Sequence, residues 1–459
     1  MPIIKDIVNE ELLHRTLEKT KNPTEEQIIG ILRKARKKQG LTLEEVGALL
    51  NATDPALTQQ MFSTAGKIKR DIYGERLVLF APLYVSSFCV NDCAYCGFRA
   101  RNTAERKKLS LEEVREQVRI LEDMGHKRLL LEFGEHPTET PIDYIVEVIR
   151  TIYDTKSGKG EIRRVNVNIA ATTVEAYQKL KAVGIGTYQL FQETYHRETY
   201  QKLHQGLKAD YERQLFAHDR AFAAGIDDIG LGVLFGLYDY RFEVLALISH
   251  AQYLDRTYGV GPHTFSVPRW QPADAVAWEE PPAPVSENEL LNIIAILRMA
   301  VPYTGMIIST RERPEIREKA FEIGISQTSA ASRTAPGGYG KSEKLAQFSL
   351  ADHRTVDDVL KGILKQGLLP SFCTACYRKG RTGATFMDLA KPGNIHNLCR
   401  PNALLTFKEY LEDYASPEVK ERGLLVIENY LAQIPDAATK RETRARLDRI
   451  EQGERDLYF

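Results

Sequence analysis

Cysteine is scarce in this chain, with six in 459 residues. So few would staple almost nothing in a chain this long, which argues against a disulfide scaffold. Neither charge sign is in excess. Lys and Arg total 62, Asp and Glu total 62, and the isoelectric point is near 7.1. That balance excludes a general electrostatic pull toward nucleic acid or an anionic membrane. No apolar run approaches the roughly 18 residues of a membrane span. The first residues, Met1-Pro-Ile-Ile-Lys-Asp-Ile-Val, lack the basic-then-apolar pattern of a secretory leader. The expected setting is the cytoplasm, with no nucleic-acid and no membrane partner. Hydrophobic residues at 43 % and charged residues at 27 % describe a globular chain able to bury a large core. Its length predicts about three units, or one large barrel with attachments.

The six cysteines fall into two groups of three. Cys89, Cys93 and Cys96 are spaced C-x3-C-x2-C, and Cys373, Cys376 and Cys399 are spaced C-x2-C-x22-C. Structural zinc is usually closed by four Cys or His ligands. Three soft thiolates at short spacing suit a cubane iron–sulfur cluster with one iron left open. For the second group a zinc knot stays an alternative, because C-x2-C is common in zinc sites.

Eight short β-branched or apolar runs recur between turn signals. They are Leu77–Val85, Arg128–Glu132, Val165–Asn168, Thr187–Gln192, Asp228–Val233, Thr264–Val267, Met306–Ser309 and Ile325–Ala330. Helical patterns separate them. Ser110 with Glu113 and Ser286 with Glu289 read as capping boxes, and Gly125 reads as a helix stop. Strand alternating with helix means parallel strands, and eight units predict a closed (β/α)8 TIM barrel of the α/β class. The first cysteine group then sits on the first βα loop, at the face where barrel active sites lie. Glu132 to Glu135, Asn166, Asn168, Gln192, Glu193, His263 and Ser309 to Arg311 are expected to point to that face. The organisation predicted is a helical N-terminal extension over 1–75, a barrel over 76–344, and a helical C-terminal part over 345–459 carrying the second cysteine group.

The stretch Phe88-Cys-Val-Asn-Asp-Cys-Ala-Tyr-Cys-Gly-Phe98 resembles the radical S-adenosylmethionine (SAM) superfamily signature. The resemblance implies that Cys89, Cys93 and Cys96 hold a four-iron cluster (4Fe-4S). SAM chelates its open iron and is split into methionine and a 5′-deoxyadenosyl radical, with Tyr95 against the adenine. Phe133-Gly134-Glu135 is similar to the superfamily's Gly-Gly-Glu segment, which implies SAM contacts from Gly134 and Glu135. Gly232-Val-Leu-Phe-Gly236 looks like its adenine-side segment. Leu190-Phe-Gln-Glu-Thr-Tyr-His-Arg197 resembles the fourth-strand segment of the aromatic amino acid lyases, implying contacts from Glu193 and Arg197.

The C-terminal runs Cys373–Gly383 and Lys391–Asn402 resemble the hydrogenase-maturing tyrosine lyases of that branch, over nearly the whole chain. The thiazole-pathway lyase lacks this motif. The resemblance implies cleavage of the Cα–Cβ bond of L-tyrosine to p-cresol and dehydroglycine. The fragment would yield carbon monoxide and cyanide at an auxiliary 4Fe-4S cluster on Cys373, Cys376 and Cys399. There they would bind an extra dangler iron bridged by a free cysteine, forming an iron–dicarbonyl–cyanide synthon. It further implies His263 as a ligand of the extra iron, a reductant such as ferredoxin or flavodoxin, and other hydrogenase maturation proteins as partners. Ser309 and Arg311 are candidates for the substrate carboxylate, Arg311 by a bidentate pair, although pairing with Glu312 is equally compatible. Arg378 and Arg381 are expected beside the second cluster. The alternatives are a 2-iminoacetate synthase of thiazole biosynthesis and a non-catalytic iron–sulfur scaffold.

Overall fold

The structure is a computed structural model that describes residues 4–274, 276, 278–340 and 345–459. The expected boundary at 344 therefore lies outside the described residues. Eight strands close a barrel: β1 Arg76–Ser86, β2 Arg128–Phe133, β3 Arg164–Asn168, β4 Tyr188–Glu193, β5 Ile229–Val233, β6 Thr264–Ser266, β7 Gly305–Ile308 and β8 Gln327–Ser329. Each neighbours the next in a parallel ladder, and β8 returns to β1 through Val78↔Gln327 to Phe80↔Ser329. Every expected strand lies within two residues of an observed one. Parallel barrel strands are covered on both faces, so they read as near-continuous apolar runs. In β1 all residues after Arg76 are buried.

The helices start where the caps predict. Ser110 and Ser286 each form a capping box, opening Leu111–Asp123 and Glu287–Ala300. The chain before the barrel forms helices including Glu25–Ala35, Leu43–Leu50 and Pro55–Tyr73. The last of these packs on Glu287–Ala300. Buried Lys69 on it donates to the carbonyl of Phe321 at 3.2 Å.

The C-terminal part is not purely helical. It adds β9, Leu369–Ser371, to the barrel sheet. β9 pairs with the first three residues of β1 (Arg76↔Leu369 to Val78↔Ser371), whereas β2 pairs from Ala81 onward. Cys373 and Cys376 follow β9 directly, and Cys399 joins them from the helix His396–Asp413. This second group is therefore delivered to the mouth where the strands begin, while the first lies where they end.

Two expected positions change as a result. His263 precedes β6 and so belongs to the lower mouth. Asn166 turns the same way, accepting from Arg164 Nε at 2.8 Å and Thr187 N at 2.9 Å. Among the described residues no helix is long and apolar enough to cross a membrane.

Candidate functional site

The loop after β1 is held by main-chain bonds from its surroundings. Val90 N donates to Glu135 O at 2.8 Å, Ala94 N to Leu203 O at 2.9 Å, and Gly97 N to Gln347 O at 3.0 Å. Gly134 is required by close approach. A Cβ there would lie 2.2 Å from Phe88 O and 3.2 Å from Cys89 Cβ. Asp92 anchors the loop through Arg99 at 2.7 Å and Arg101 at 2.9 Å. Tyr95 packs with Cys93, Leu234 and Trp270. Its hydroxyl meets His204 Nε2 at 2.8 Å, while His204 Nδ1 meets Tyr200 O at 2.7 Å.

Cys89, Cys93 and Cys96 are all free thiols. Burial raises their pKa values, Cys96 to about 11, and each thiolate would raise its neighbours further. Three largely desolvated thiols ionise together only against positive charge, and a cationic iron–sulfur core supplies it. The donor set fits that group. Among the described residues, no three His, Cys, Asp or Glu groups close on a hole the size of one ion.

Next to these thiols a cavity opens at the upper mouth, lined by Tyr84, Glu132, Asn168, Glu193, Lys208, Trp270, Ser309 and Arg311 among others. Glu132 takes a hydrogen bond from Asn168 Nδ2 at 3.3 Å, and burial pushes its carboxyl up to about 8. The Arg311 guanidinium lies over the Phe348 ring at 3.2 Å, and burial lowers its pKa. It does not pair with Glu312, whose carboxylate takes Arg269 Nε at 3.0 Å. Arg311 is thus left facing the cavity with no ion pair among the described residues.

Tyr95, Gly134, Glu135, Glu193, Ser309 and Arg311 all line this cavity with the cysteines. Arg197 does not. β4 ends with Glu193 in the left-handed region at φ 70°, and the chain turns into the helix Arg197–Leu203. Arg197 then pairs with Glu212 at 2.8 Å and lies over Tyr211. Glu135 is bound by Asn91 Nδ2 at 2.6 Å and Arg213 at 2.5 Å. Sequence reasoning missed Lys208, whose Nζ lies 2.6 Å from Glu193 Oε1. Burial lowers the pKa of its ammonium, but Glu193, Cys93 and Tyr200 together outweigh that and raise it.

At the lower mouth stand Cys373, Cys376 and Cys399, also free and raised by burial. The charge of Arg76, the first residue of β1, acts on Cys399 and lowers its pKa against the effect of burial. Arg128 and Arg164 open β2 and β3 beside it and are Cα partners in the ladder. Three thiolates among these guanidiniums fit an anionic cluster by charge. His263 Nδ1 lies 2.7 Å from Asp228 Oδ1. Arg378 and Arg381 are held by the chain's last residues: Arg378 bonds Asp456 at 2.6 Å, and Arg381 bonds Phe459 O at 2.7 Å.

Residues 83–248 match the radical SAM superfamily model, and 266–369 match the biotin and thiamin synthesis associated domain. The chain is 32 % identical to 2-iminoacetate synthase of Escherichia coli over 333 residues, 72 % of this chain and 86 % of that one. A crystal structure of HydG, a maturase of the FeFe-hydrogenase, is similar at 56 % identity and TM-score 0.97, covering 99 % of this chain and 100 % of that one. HydG from Carboxydothermus hydrogenoformans is similar at 41 % identity and TM-score 0.85, covering 97 % and 100 %. The chain is a radical SAM enzyme, and it belongs to the family that includes 2-iminoacetate synthase and the hydrogenase maturase HydG.

Proposed function

We propose that this chain is a HydG-type tyrosine lyase that turns L-tyrosine into p-cresol, carbon monoxide and cyanide for assembly of the FeFe-hydrogenase active site. The observation that carries this reading is the pair of free-cysteine triads at the two mouths of one barrel, with a polar cavity beside the first. A single-cluster lyase has no use for the second triad.

When bound, the cluster on Cys89, Cys93 and Cys96 supplies the electron that splits SAM, chemistry no side chain provides. The remaining work falls to the chain's own groups. Gly134 lets the backbone approach Cys89 and SAM, with Tyr95, Glu135 and Glu193 around them. Arg311, facing the cavity with no ion pair among the described residues, receives the tyrosine carboxylate with Ser309. The buried wall excludes water from the fragmenting substrate. At the lower mouth Cys373, Cys376 and Cys399 would hold an auxiliary cluster, and His263 would be a ligand for an extra iron beside it. A ferredoxin- or flavodoxin-type reductant and other maturation proteins complete the setting. We also propose the division into 1–75, 76–344 and 345–459.

The test is anaerobic reconstitution with SAM, L-tyrosine and dithionite, with assays for p-cresol, carbon monoxide and cyanide. About eight irons and no zinc are expected for two clusters. p-Cresol without carbon monoxide or cyanide would instead identify a 2-iminoacetate synthase. No SAM cleavage at all would identify a scaffold.

A further inference from the structure

Cys376 and Cys399 stand on different segments, with 22 residues between them. Cys376 lies in the short helix Ala375–Arg378, and Cys399 lies in the helix His396–Asp413. The run 455–459 crosses from one to the other twice. At Asp456 the main-chain N–H donates to Glu409 Oε1, on the Cys399 helix, at 2.7 Å. The Asp456 carboxylate accepts from Arg378, two residues after Cys376, at 2.6 Å. At Phe459 the N–H donates to Asn402 Oδ1, again on the Cys399 helix, at 2.9 Å. The Phe459 main-chain oxygen accepts from Arg381 at 2.7 Å. Each of these two residues is therefore one rung of a brace between the segments. The first rung is backed by Arg163, 4 % exposed, which pairs with Glu409 at 2.8 Å and with Asp456 at 3.1 Å. The second is backed by Arg446, which donates to Tyr458 O at 2.7 Å and lies over the Phe459 ring. Asp456 sits in the left-handed region at φ 63°. A residue other than glycine stays there only where its surroundings over-determine it.

We infer that Asp456 and Phe459 are positioning residues that hold Cys399 against Cys376, so that the three thiols of the second triad reach one metal centre together. The inference rests on the reading of Cys373, Cys376 and Cys399 as one metal-binding triad, and not on the substrate. Cys373 has its own tie to the same helix, because Phe372 N donates to Thr406 Oγ1 at 3.2 Å. Closing separate segments on a metal costs conformational entropy, and a brace made during folding removes that cost from the binding step. Partners that orient metal ligands in this way carry about tenfold in metal affinity. Without the rungs, Cys373 and Cys376 stay together on one loop and Cys399 is released from them.

The experiment breaks both rungs and spares the backbone. Asp456→Gly keeps the left-handed turn and removes the bond to Arg378, and Asn402→Leu removes the acceptor for Phe459 N. The double variant is compared with Asp456→Asn, whose amide oxygen still accepts from Arg378, and with the parent. Cobalt(II) is titrated into the full metal-free chain carrying Cys89→Ala, Cys93→Ala and Cys96→Ala. Thiolate-to-cobalt charge-transfer absorption then counts the thiolates on the metal. Three are expected in the parent and in Asp456→Asn. Two are expected in the double variant, with affinity about tenfold weaker. Fewer than three in the parent refutes the triad reading and the inference with it. Three in the double variant overturns the brace alone, as does an Asp456→Asn protein that behaves like the double variant. A second measurement uses the chain with all six cysteines, reconstituted with iron. The double variant is expected to lose the electron paramagnetic resonance of the second cluster and to keep SAM cleavage at the first. Retention of the second cluster overturns the inference, and so does parallel loss of both clusters, which marks a general loss of fold.

Discussion

Lys208 Nζ and Glu193 Oε1 lie 2.6 Å apart in the cavity wall, their side chains 17 % and 12 % exposed. Removing one member strands the other charge in low dielectric, whereas removing both does not. Lys208→Met is therefore expected to cost about 3 kcal/mol of stability and most of the p-cresol activity. Adding Glu193→Gln should restore most of the stability and none of the activity. Denaturant unfolding of the single and double variants measures the first effect. A double variant no more stable than the single would show that the pair is not coupled.

Gly134→Ala is expected to act on the first triad alone. The added methyl meets the Phe88 carbonyl at 2.2 Å, a backbone atom that moves only with Cys89. Iron per chain should fall from about eight to about four, with the second cluster's spectrum intact and p-cresol lost. A variant with full iron and normal p-cresol would mean the loop yields without displacing Cys89.

The two triads should separate by product. Cys89→Ala, Cys93→Ala or Cys96→Ala is expected to abolish 5′-deoxyadenosine and p-cresol together. Replacing Cys373, Cys376 or Cys399 should leave p-cresol largely intact and stop carbon monoxide. Parallel loss of both products in a folded variant that keeps the first cluster would contradict the division.

His126 supplies a pH test away from both triads. It is fully buried, and burial pushes its pKa from 6.5 down to about 4. Its neutral form is favoured in the folded chain, so this stability is complete above pH 6.5 and is lost as pH falls from about 6.5 to about 4. The full effect is about 3 kcal/mol. His126→Asn should flatten that part of the stability–pH curve relative to wild type. Identical slopes in urea unfolding between pH 7 and 5 would exclude the contribution.

The eight barrel strands were legible because strands covered on both faces show as apolar runs between turn residues. β9 was not legible. It is three residues long, and Pro370 at its centre has no N–H to give, which ordinarily argues against a strand. Its partner on β1 lies nearly 300 residues earlier, beyond any local pattern. The first cysteine group could be read because all three thiols come from one short loop. Lys208 could not, because nothing about a lysine within the short 3-10 helix Leu207–Ala209 points to a partner on β4. The sixth strand was found but His263 was assigned to the wrong end, since a run of apolar residues does not say where its first ladder bond falls. Arg197 was misplaced for a conformational reason: the left-handed turn at Glu193 carries the chain away from the cavity.

β1 touches both sites. The charge of Arg76 at its start acts on Cys399, and Ser86 at its end leads within three residues to Cys89. The interval between the triads is therefore ruled by one strand, roughly 33 Å over ten rises, and not by the hinge of a linker. Insertions in the surface helices would leave it unchanged. Its adjustable element is the register of β9 against β1. A slip that keeps the side-chain faces must be two residues, which would carry the second triad roughly 7 Å along the strand direction. The separation of the two sites is thus quantised by a hydrogen-bond ladder, and evolution of this chain can tune it only in steps of that size.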